Sequence, residues 1–458
     1  MTKTMRQFLN STGTQVALAG ALAVSLVSPA NAETLADALA KAYATNPTLL
    51  SARATLRATD EGVPQALSGW RPSLGVTGTT SSRRTETSTT RTKTSTNPRT
   101  MTLNLSQSLF AGGQTVANTK SAVNTVQAQR ARLMSSEQSI LLNAATAYLN
   151  VLRDQAVLEL NIKNEQVLTR HLEATRDRFN VGEITRTDVH SAEARLAGAN
   201  ANRIGAEGTL EASRANYANV VGEAPGILEK PNLALGLPES LIEAVTMAEE
   251  NNPAVVAAAF DEKASRNDIS SVKGQLLPSL DLSGSANRSL ETTTSYTWSN
   301  SLEAKVTLTV PLYQSGAVYS QLRQARQAAA ASRLSADQAR RDATEQVRQA
   351  WQNLDVTRAR IESIKTQVRA AETALEGIQR EASVGSRTVL DVLDSEQELL
   401  DARVNLVTSQ RDETVAALTL MSAAGKLTAV DLNLAVDLYD AGGHYRDVRG
   451  KWFGGNTN

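Results

Sequence analysis

The chain repeats itself, and no other property of the sequence restricts its fold as much. Residues 35–78 align without a gap on residues 241–284, a shift of 206, and eleven of the 44 pairs are identical. Leu35 meets Leu241, Asn46-Pro47 meets Asn252-Pro253, and Pro72-Ser73-Leu74 meets Pro278-Ser279-Leu280. A three-residue deletion then sets the shift to 203, where it stays. Gly113 meets Gly316, Val181-Gly182 meets Val384-Gly385, Thr185 meets Thr388, Asp188 meets Asp391, Glu193 meets Glu396 and Gly222 meets Gly425. Low-complexity helix imitates scattered matches, but not aligned Gly and Pro landmarks at one constant shift. The halves read as residues 33–222 and 239–425, with 223–238 (Pro225, Pro231, Pro238) as a linker and 426–458 as a C-terminal segment.

Both halves follow one plan. A helical stretch from Leu35 to about Leu67 is broken at Asn46-Pro47, where Asn caps a new helix and Pro occupies its first position. After Pro72 the periodicity changes to two. Leu74 and Val76 oppose Ser73 and Thr77; Leu103, Leu105 and Leu109 oppose Thr102, Asn104, Ser106 and Ser108. In the second half, Leu280 and Leu282 oppose Asp281, Ser283 and Ser285, and Leu302 through Leu312 oppose Glu303, Lys305, Thr307 and Thr309. Such alternation predicts half-buried strands at about 73–82, 101–110, 279–289 and 302–312. Their length suits tilted strands crossing a bilayer. Residues Ser82 to Thr100, rich in Ser, Thr and charge, read as an outer surface loop.

Gln114–Asn180 contains 67 residues with neither Gly nor Pro, and Ala317–Ser383 another 67 with only Gly377. At 1.5 Å per residue each is a rod of roughly 100 Å. Return helices follow at 184–221 and 387–424. In the second, Leu393, Leu400 and Val407, with Val392, Leu399 and Leu406 beside them, recur every seven residues, a coiled-coil signature. The Ala328–Ala331 run, Ala370-Ala371 and Ala416-Ala417 permit close helix approach. A rod this long cannot bury itself in one compact domain, so it must lie against other long helices of this chain or of further copies.

Composition removes other classes of function. Lys plus Arg and Asp plus Glu are both 47, which gives none of the basic excess expected of a nucleic-acid binder. There is no cysteine, so thiol chemistry, cysteine zinc sites, disulfides and a lipid anchor on cysteine are excluded. His171, His190 and His444 are too scattered in sequence for a histidine metal site, and His171 and His190 read as ordinary helix residues. No cofactor is expected. Lys3, Arg6 and the apolar Val16–Val27 run, followed by Ala30-Asn31-Ala32, read as a secretory signal spanning 1–32 and cleaved before Glu33. Removing its two basic residues leaves 45 basic against 47 acidic, a net charge of −2. The exported chain therefore carries four membrane-length strands, too few to close a barrel, and an open edge in lipid leaves backbone groups unpaired. Several chains must share one barrel, polar face to water and apolar face to lipid.

The repeated plan, the Asn46-Pro47 joint, the Pro72 strand entry and two turn motifs resemble the TolC family of outer-membrane channels. The motifs are Phe179-Asn180-Val181-Gly182-Glu183-Ile184-Thr185-Arg186-Thr187-Asp188-Val189 and Ser383-Val384-Gly385-Ser386-Arg387-Thr388-Val389-Leu390-Asp391-Val392-Leu393-Asp394. The resemblance implies an α+β membrane protein. It would be a homotrimer with four transmembrane β-strands per chain in a shared 12-strand barrel, continued by a long periplasmic α-helical coiled-coil barrel. It implies an outer-membrane exit duct for efflux or type I secretion. The duct would be gated and fed by a periplasmic adaptor (membrane fusion) protein with an inner-membrane RND or ABC transporter. Outer-membrane lipid would surround it, and no nucleic acid would be bound.

The resemblance also assigns roles. Val181, Gly182, Thr185, Val384, Gly385 and Thr388 would form the adaptor-docking tip, with glycine supplying the left-handed turn. Asp391 and Asp394, three apart at a helix start, match the family's constricting aspartates. Repeated around an axis they would gather negative charge and favour cations; a favourable helix dipole alone also accounts for them. Arg387 and Asp188 match residues that hold the entrance closed. The family's frequent Tyr is replaced by Ala382, so one closing link is missing. Trp70, Phe110, Tyr296, Trp298 and Tyr313 flank the strands, as an interfacial girdle or as ordinary strand packing. The C-terminal tail from about Ala441 reads as disordered. No GxGxxG, P-loop, HExxH or GxSxG motif is present, so an enzyme is not expected. The alternative to a channel is a soluble periplasmic coiled-coil scaffold or adaptor, which leaves the duplicated alternating strands unexplained.

Overall fold

A computed structural model describes residues 33–88, 92–231, 236–292 and 296–455. The expected signal and its Ala30 and Ala32 lie outside these residues. The first half runs through helices α1 (Leu35–Thr45), α2 (Pro47–Asp60) and α3 (Gly62–Leu67), and a 3-10 turn at Ser68–Trp70. It continues with strands β1 (Ser73–Thr80), β2 (Arg83–Thr87), β3 (Thr92–Thr96) and β4 (Arg99–Ala111), and then helices α4 (Gln114–Asn180) and α5 (Arg186–Val221). The second half holds α6 (Leu241–Asn251), α7 (Pro253–Gly274), β5 (Ser279–Leu290), β6 (Trp298–Thr309), α8 (Ala317–Ser383) and α9 (Val389–Ala423); α10 (Gly443–Val448) follows. Among the described residues no helix is long and apolar enough to cross a membrane.

Four strands form one antiparallel sheet in the order β1-β4-β5-β6, so β1 and β6 are its open edges. Directly opposed residues share a face, and the register builds two unlike faces. Val76, Leu103, Ala286 and Leu302 form one continuous row; Leu282 with Val306, and Phe110 with Leu280 and Leu308, extend the same apolar face downward. On the other face Thr77, Thr102, Asn287 and Ser301 form a row, with Ser73, Ser106, Ser283 and Lys305 below. Thr102 donates to Asn287 Oδ1 across this face at 3.2 Å. The apolar face has no cover within the chain: Leu74, Val76, Leu302, Val306 and Leu308 are all exposed.

Three sequence expectations need correction. Ser82–Thr100 is not a plain loop, because β2 and β3 pair as a hairpin with Glu86 opposite Lys93, 3.4 Å apart. The β-branched threonines at 85, 87, 94 and 96 favour this extended pairing. The last strand spans 298–309 rather than 302–312; it pairs back to Leu290 at its start, and Pro311 beyond its end has no amide to donate. The third concerns the C-terminal segment. Residues 443–448 are helical, and His444 Nδ1 lies 3.2 Å from Oδ2 of the buried Asp60. The aromatic and cationic residues of this segment supply contacts that its Gly and Asn content conceals.

The helical part explains why Asn-Pro and Gly are duplicated together. Helix α5 returns along α4 and stops at Gly222, where α2 takes up the contact with α4; α9 returns along α8 and stops at Ala423, where α7 continues along α8. One asparagine seals each joint. Asn46 Oδ1 accepts from Thr48 N at 3.0 Å while its Nδ2 donates to Val220 O at 2.9 Å. Asn252 Oδ1 accepts from Ala254 N at 2.9 Å while its Nδ2 donates to Ala423 O at 3.0 Å. Each amide therefore caps the start of one helix and the end of another. Gly425, with φ of +79°, closes the second joint so tightly that a Cβ would lie 2.5 Å from Asn251 O.

Helix α8 buries Leu322, Ala329, Ala336, Ala343, Ala350, Thr357, Ile364 and Ala371, and also Val347, Leu354, Ile361, Val368 and Leu375. These are two interleaved seven-residue series, the seam of a left-handed supercoil. A larger core sits midway along the rods. There α1, the middle of α4, the ends of α5 and α9, and the segment Leu427–Leu434 surround Tyr148 and Tyr217. The Tyr148 hydroxyl sits between the carbonyls of Glu33 and Glu229, at 2.7 and 2.6 Å, and ties the segment before α1 to the inter-repeat segment. Burial pushes its pKa up to about 12.

Candidate functional site at the helical tips

The two turns after α4 and α8 lie at the far ends of the 67-residue helices, away from the sheet. Each closes with a left-handed glycine, Gly182 at φ +80° and Gly385 at φ +81°. Glu183 N donates to Arg178 O at 2.9 Å and Ser386 N to Glu381 O at 3.0 Å, so both turns satisfy the terminal carbonyls in the same way. Val181 and Val384 each stand 79% exposed. Apolar side chains this open at the two equivalent apices belong to no core of this chain.

Thr185 and Thr388 start the return helices with identical capping boxes. Thr185 N and Oγ1 donate to Asp188 Oδ2 at 2.9 and 2.7 Å. Thr388 N and Oγ1 donate to Asp391 Oδ2 at 2.9 and 2.8 Å. The shared Thr and Asp of the motifs are thus a structural pair that fixes where each helix begins. The Thr388 backbone amide, and then its hydroxyl, hold the Asp391 carboxyl below the usual carboxylate range. Asp391 therefore keeps its charge into acid.

Further charges at the tips pair within the chain. Arg387 Nε lies 2.9 Å from Glu381 Oε2, and Arg178 lies 2.7 Å from Glu183. Position 178 is the repeat-equivalent of 381, and the two turns carry clamps of opposite polarity whose other ends, Glu183 and Arg387, fall one position out of register. Asp394 pairs with Arg195, linking α9 to α5 across the two halves. Glu396 lies 3.8 Å from His171 Nε2 and accepts from Gln379 Nε2 at 3.1 Å. Beneath them Leu393 is buried with Leu168, Leu172, Val189 and Ala192, so α9 wedges against α4 and α5. Ala382 lines a cleft with His171, Thr175 and Arg178, and no hydroxyl from position 382 reaches across it.

Asp391 and Asp394 are thus on one helical turn, while Asp188 belongs to the first capping box and Arg387 to the second clamp. The partners Arg195, Glu381 and Glu183 escaped the sequence reading, because nothing local announces a pair 199 residues apart such as Arg195–Asp394. Arg178 and Glu381 were accessible to it through their equivalence under the 203-residue shift. Among the described residues no cluster of His, Asp and Glu could hold a metal.

The sequence model of the outer membrane efflux protein family matches twice, over residues 38–223 and 244–426, once in each half. The chain is 34% identical over 427 residues to outer membrane efflux protein BepC of Brucella suis biovar 1 (strain 1330), covering 93% of this chain and 92% of that one. It is 29% identical over 411 residues to outer membrane protein TolC of Vibrio cholerae, covering 88% and 92%. The crystal structure of the outer membrane protein VceC from Vibrio cholerae superposes with a TM-score of 0.75 at 22% identity, over 85% of this chain and 96% of that one.

Proposed function

The chain belongs to the outer membrane efflux protein family, and from that premise we propose that it is an outer-membrane exit duct for efflux or type I secretion, assembled from three copies. One observation carries this reading. A four-stranded sheet with two open edges and an uncovered apolar face feeds directly into two 67-residue helices. An isolated sheet of this kind cannot be stable in lipid, and the free backbone groups of β1 can pair with those of β6 in another copy. Head-to-tail pairing of β1 with β6 of the next copy closes a ring, and three copies supply twelve strands. The apolar face then meets lipid, the polar face water, and the helices extend the wall into the periplasm.

The tips fit the periplasmic end. Val181, Gly182, Thr185, Val384, Gly385 and Thr388 present two equivalent apices suited to an adaptor that binds at pseudo-equivalent sites. Asp391 and Asp394 bring charge to the entrance, and of their in-chain pairings the one to Arg195 is what the gate must release. With Arg387 committed to a local clamp, Asp188 to a capping box and Ala382 too short to bridge, the Arg195–Asp394 link between α5 and α9 is the contact best placed to hold the entrance shut. An inner-membrane transporter would supply the energy, since the chain carries no nucleotide-binding motif. Purified protein should form a crosslinkable trimer in outer-membrane detergent extracts and open ion-conducting pores in planar bilayers. A monomer recovered in a periplasmic wash, with no conductance, would sink the reading in favour of a soluble scaffold.

A further inference from the structure

The C-terminal segment passes from the middle of the rods to the foot of the sheet and presents two exposed aromatics there. Its path is fixed at several points. Tyr439 N donates to the Tyr43 hydroxyl at 3.1 Å, His444 meets Asp60, and the Tyr445 ring lies under the Arg130 and Arg449 guanidinium groups at 5.2 and 5.9 Å. Val448 is buried. Arg71, two residues before β1, then donates to Lys451 O at 2.7 Å and stacks on the Trp452 ring at 5.0 Å. Trp452 remains 57% exposed and Phe453 87%.

The site they reach is the lower rim of the apolar sheet face. Gln107 stands opposite Leu282 on that face, and its Nε2 donates to Trp70 O at 3.2 Å, next to Arg71. Trp70, Phe110, Leu312 and Tyr313 are exposed along the same rim. An amphipathic indole held over a guanidinium is suited to the boundary between headgroups and acyl chains, where tryptophan collects. We propose that Trp452 and Phe453 are a membrane anchor that inserts into the periplasmic leaflet of the outer membrane, with Arg71 facing lipid phosphate. The occupant is phospholipid, because the anchor is continuous with the face that meets lipid; this rests on the membrane reading of the sheet given above.

Depth-dependent fluorescence quenching tests it. The full-length protein, W452F and W298F are reconstituted into phosphatidylethanolamine and phosphatidylglycerol vesicles containing phosphatidylcholine brominated at acyl carbons 6 and 7. The emission of Trp452, taken as wild type minus W452F, should fall at least twofold with bromolipid and be insensitive to iodide. Trp298, at the opposite end of the apolar face, reports independently as wild type minus W298F. Bromine quenching of Trp298 without quenching of Trp452 would overturn the anchor alone. Trp452 protected from both quenchers would place it under a neighbouring protomer and would also overturn it. Failure of both tryptophans to see bromine would overturn the anchor together with the membrane placement of the sheet.

Discussion

Replacing Asn252 by Asp isolates the amide that joins α9 to α7. Aspartate caps a helix start as well as asparagine, so the bond from Ala254 N survives. What disappears is the Nδ2 donor to Ala423 O, a fully buried 3.0 Å bond. The lost bond and the orphaned carbonyl together cost about 1–3 kcal/mol. A carboxylate facing a helix C-terminus adds about 0.3–1 kcal/mol. The expected loss is therefore roughly 3 kcal/mol per protomer. With an unfolding entropy near 2.1 cal/mol/K per residue over about 420 residues, that corresponds to a melting shift of roughly 3 °C. Circular dichroism at 222 nm, on detergent-solubilised protein at fixed scan rate, resolves such a shift. Asn252→Ala should fall slightly further, having lost the cap as well. If Asn252→Asp melts with the wild type while Asn252→Ala does not, the bridging amide contributes nothing and the residue is only a helix cap.

Other outcomes follow from the same geometry. Gly182→Ala meets no atom within 4 Å and carries only the strain of φ +80°, so it should cost about 1 kcal/mol. Gly112→Ala would place Cβ 2.1 Å from Gly274 O and should abolish trimer recovery; equal yields of the two variants would refute this. Burial raises the Asp60 pKa above its ordinary value. A raised carboxyl gives its full stabilisation below the unfolded value and loses it as pH climbs through the folded one. Hydrogen exchange of α10, corrected for intrinsic rates, should therefore quicken as pH rises above the carboxylate range, and Asp60→Asn should flatten the profile. Changing Asp391 and Asp394 together to Asn, or to Ala, should lower cation selectivity in planar bilayers; unchanged reversal potentials would count against a charged entrance. Val181→Glu with Val384→Glu should abolish export without altering trimer yield or bilayer conductance, as expected if the apices serve only docking.

Much of this architecture is legible in the sequence because its signals are local and repeated. The long helix Gln114–Asn180 is announced by the absence of Gly and Pro, and the strand faces by strict alternation. The heptad of α9 is visible because its positions are leucine and valine. The equally regular seam of α8 passes unseen because five of those thirteen positions are alanine, and alanine also fills exposed positions of the same helix such as Ala330 and Ala359. The order of the C-terminal segment is hidden in the sequence for a related reason. His444, Tyr445 and Trp452 find Asp60, Arg130 and Arg71, partners more than 300 residues distant, and composition cannot express such pairings. At the tips the motif was visible but its division of labour was not. In sequence Thr388 reads as part of the docking tip and Asp391 as part of the gate, whereas the two are first of all one capping box.

The open edges of the sheet carry a genetic consequence. In the proposed three-copy ring closed head to tail, a chain with an intact β1 and a ruined β6 would still join a partner on one side, then leave a gap on the other. If intact and ruined chains are made in equal amounts and mix at random, only about one ring in eight is wholly intact. Complete loss of one gene copy would halve the number of channels, whereas a proline in the middle of β6 would remove most of them. An edge substitution should therefore be dominant where a deletion is recessive.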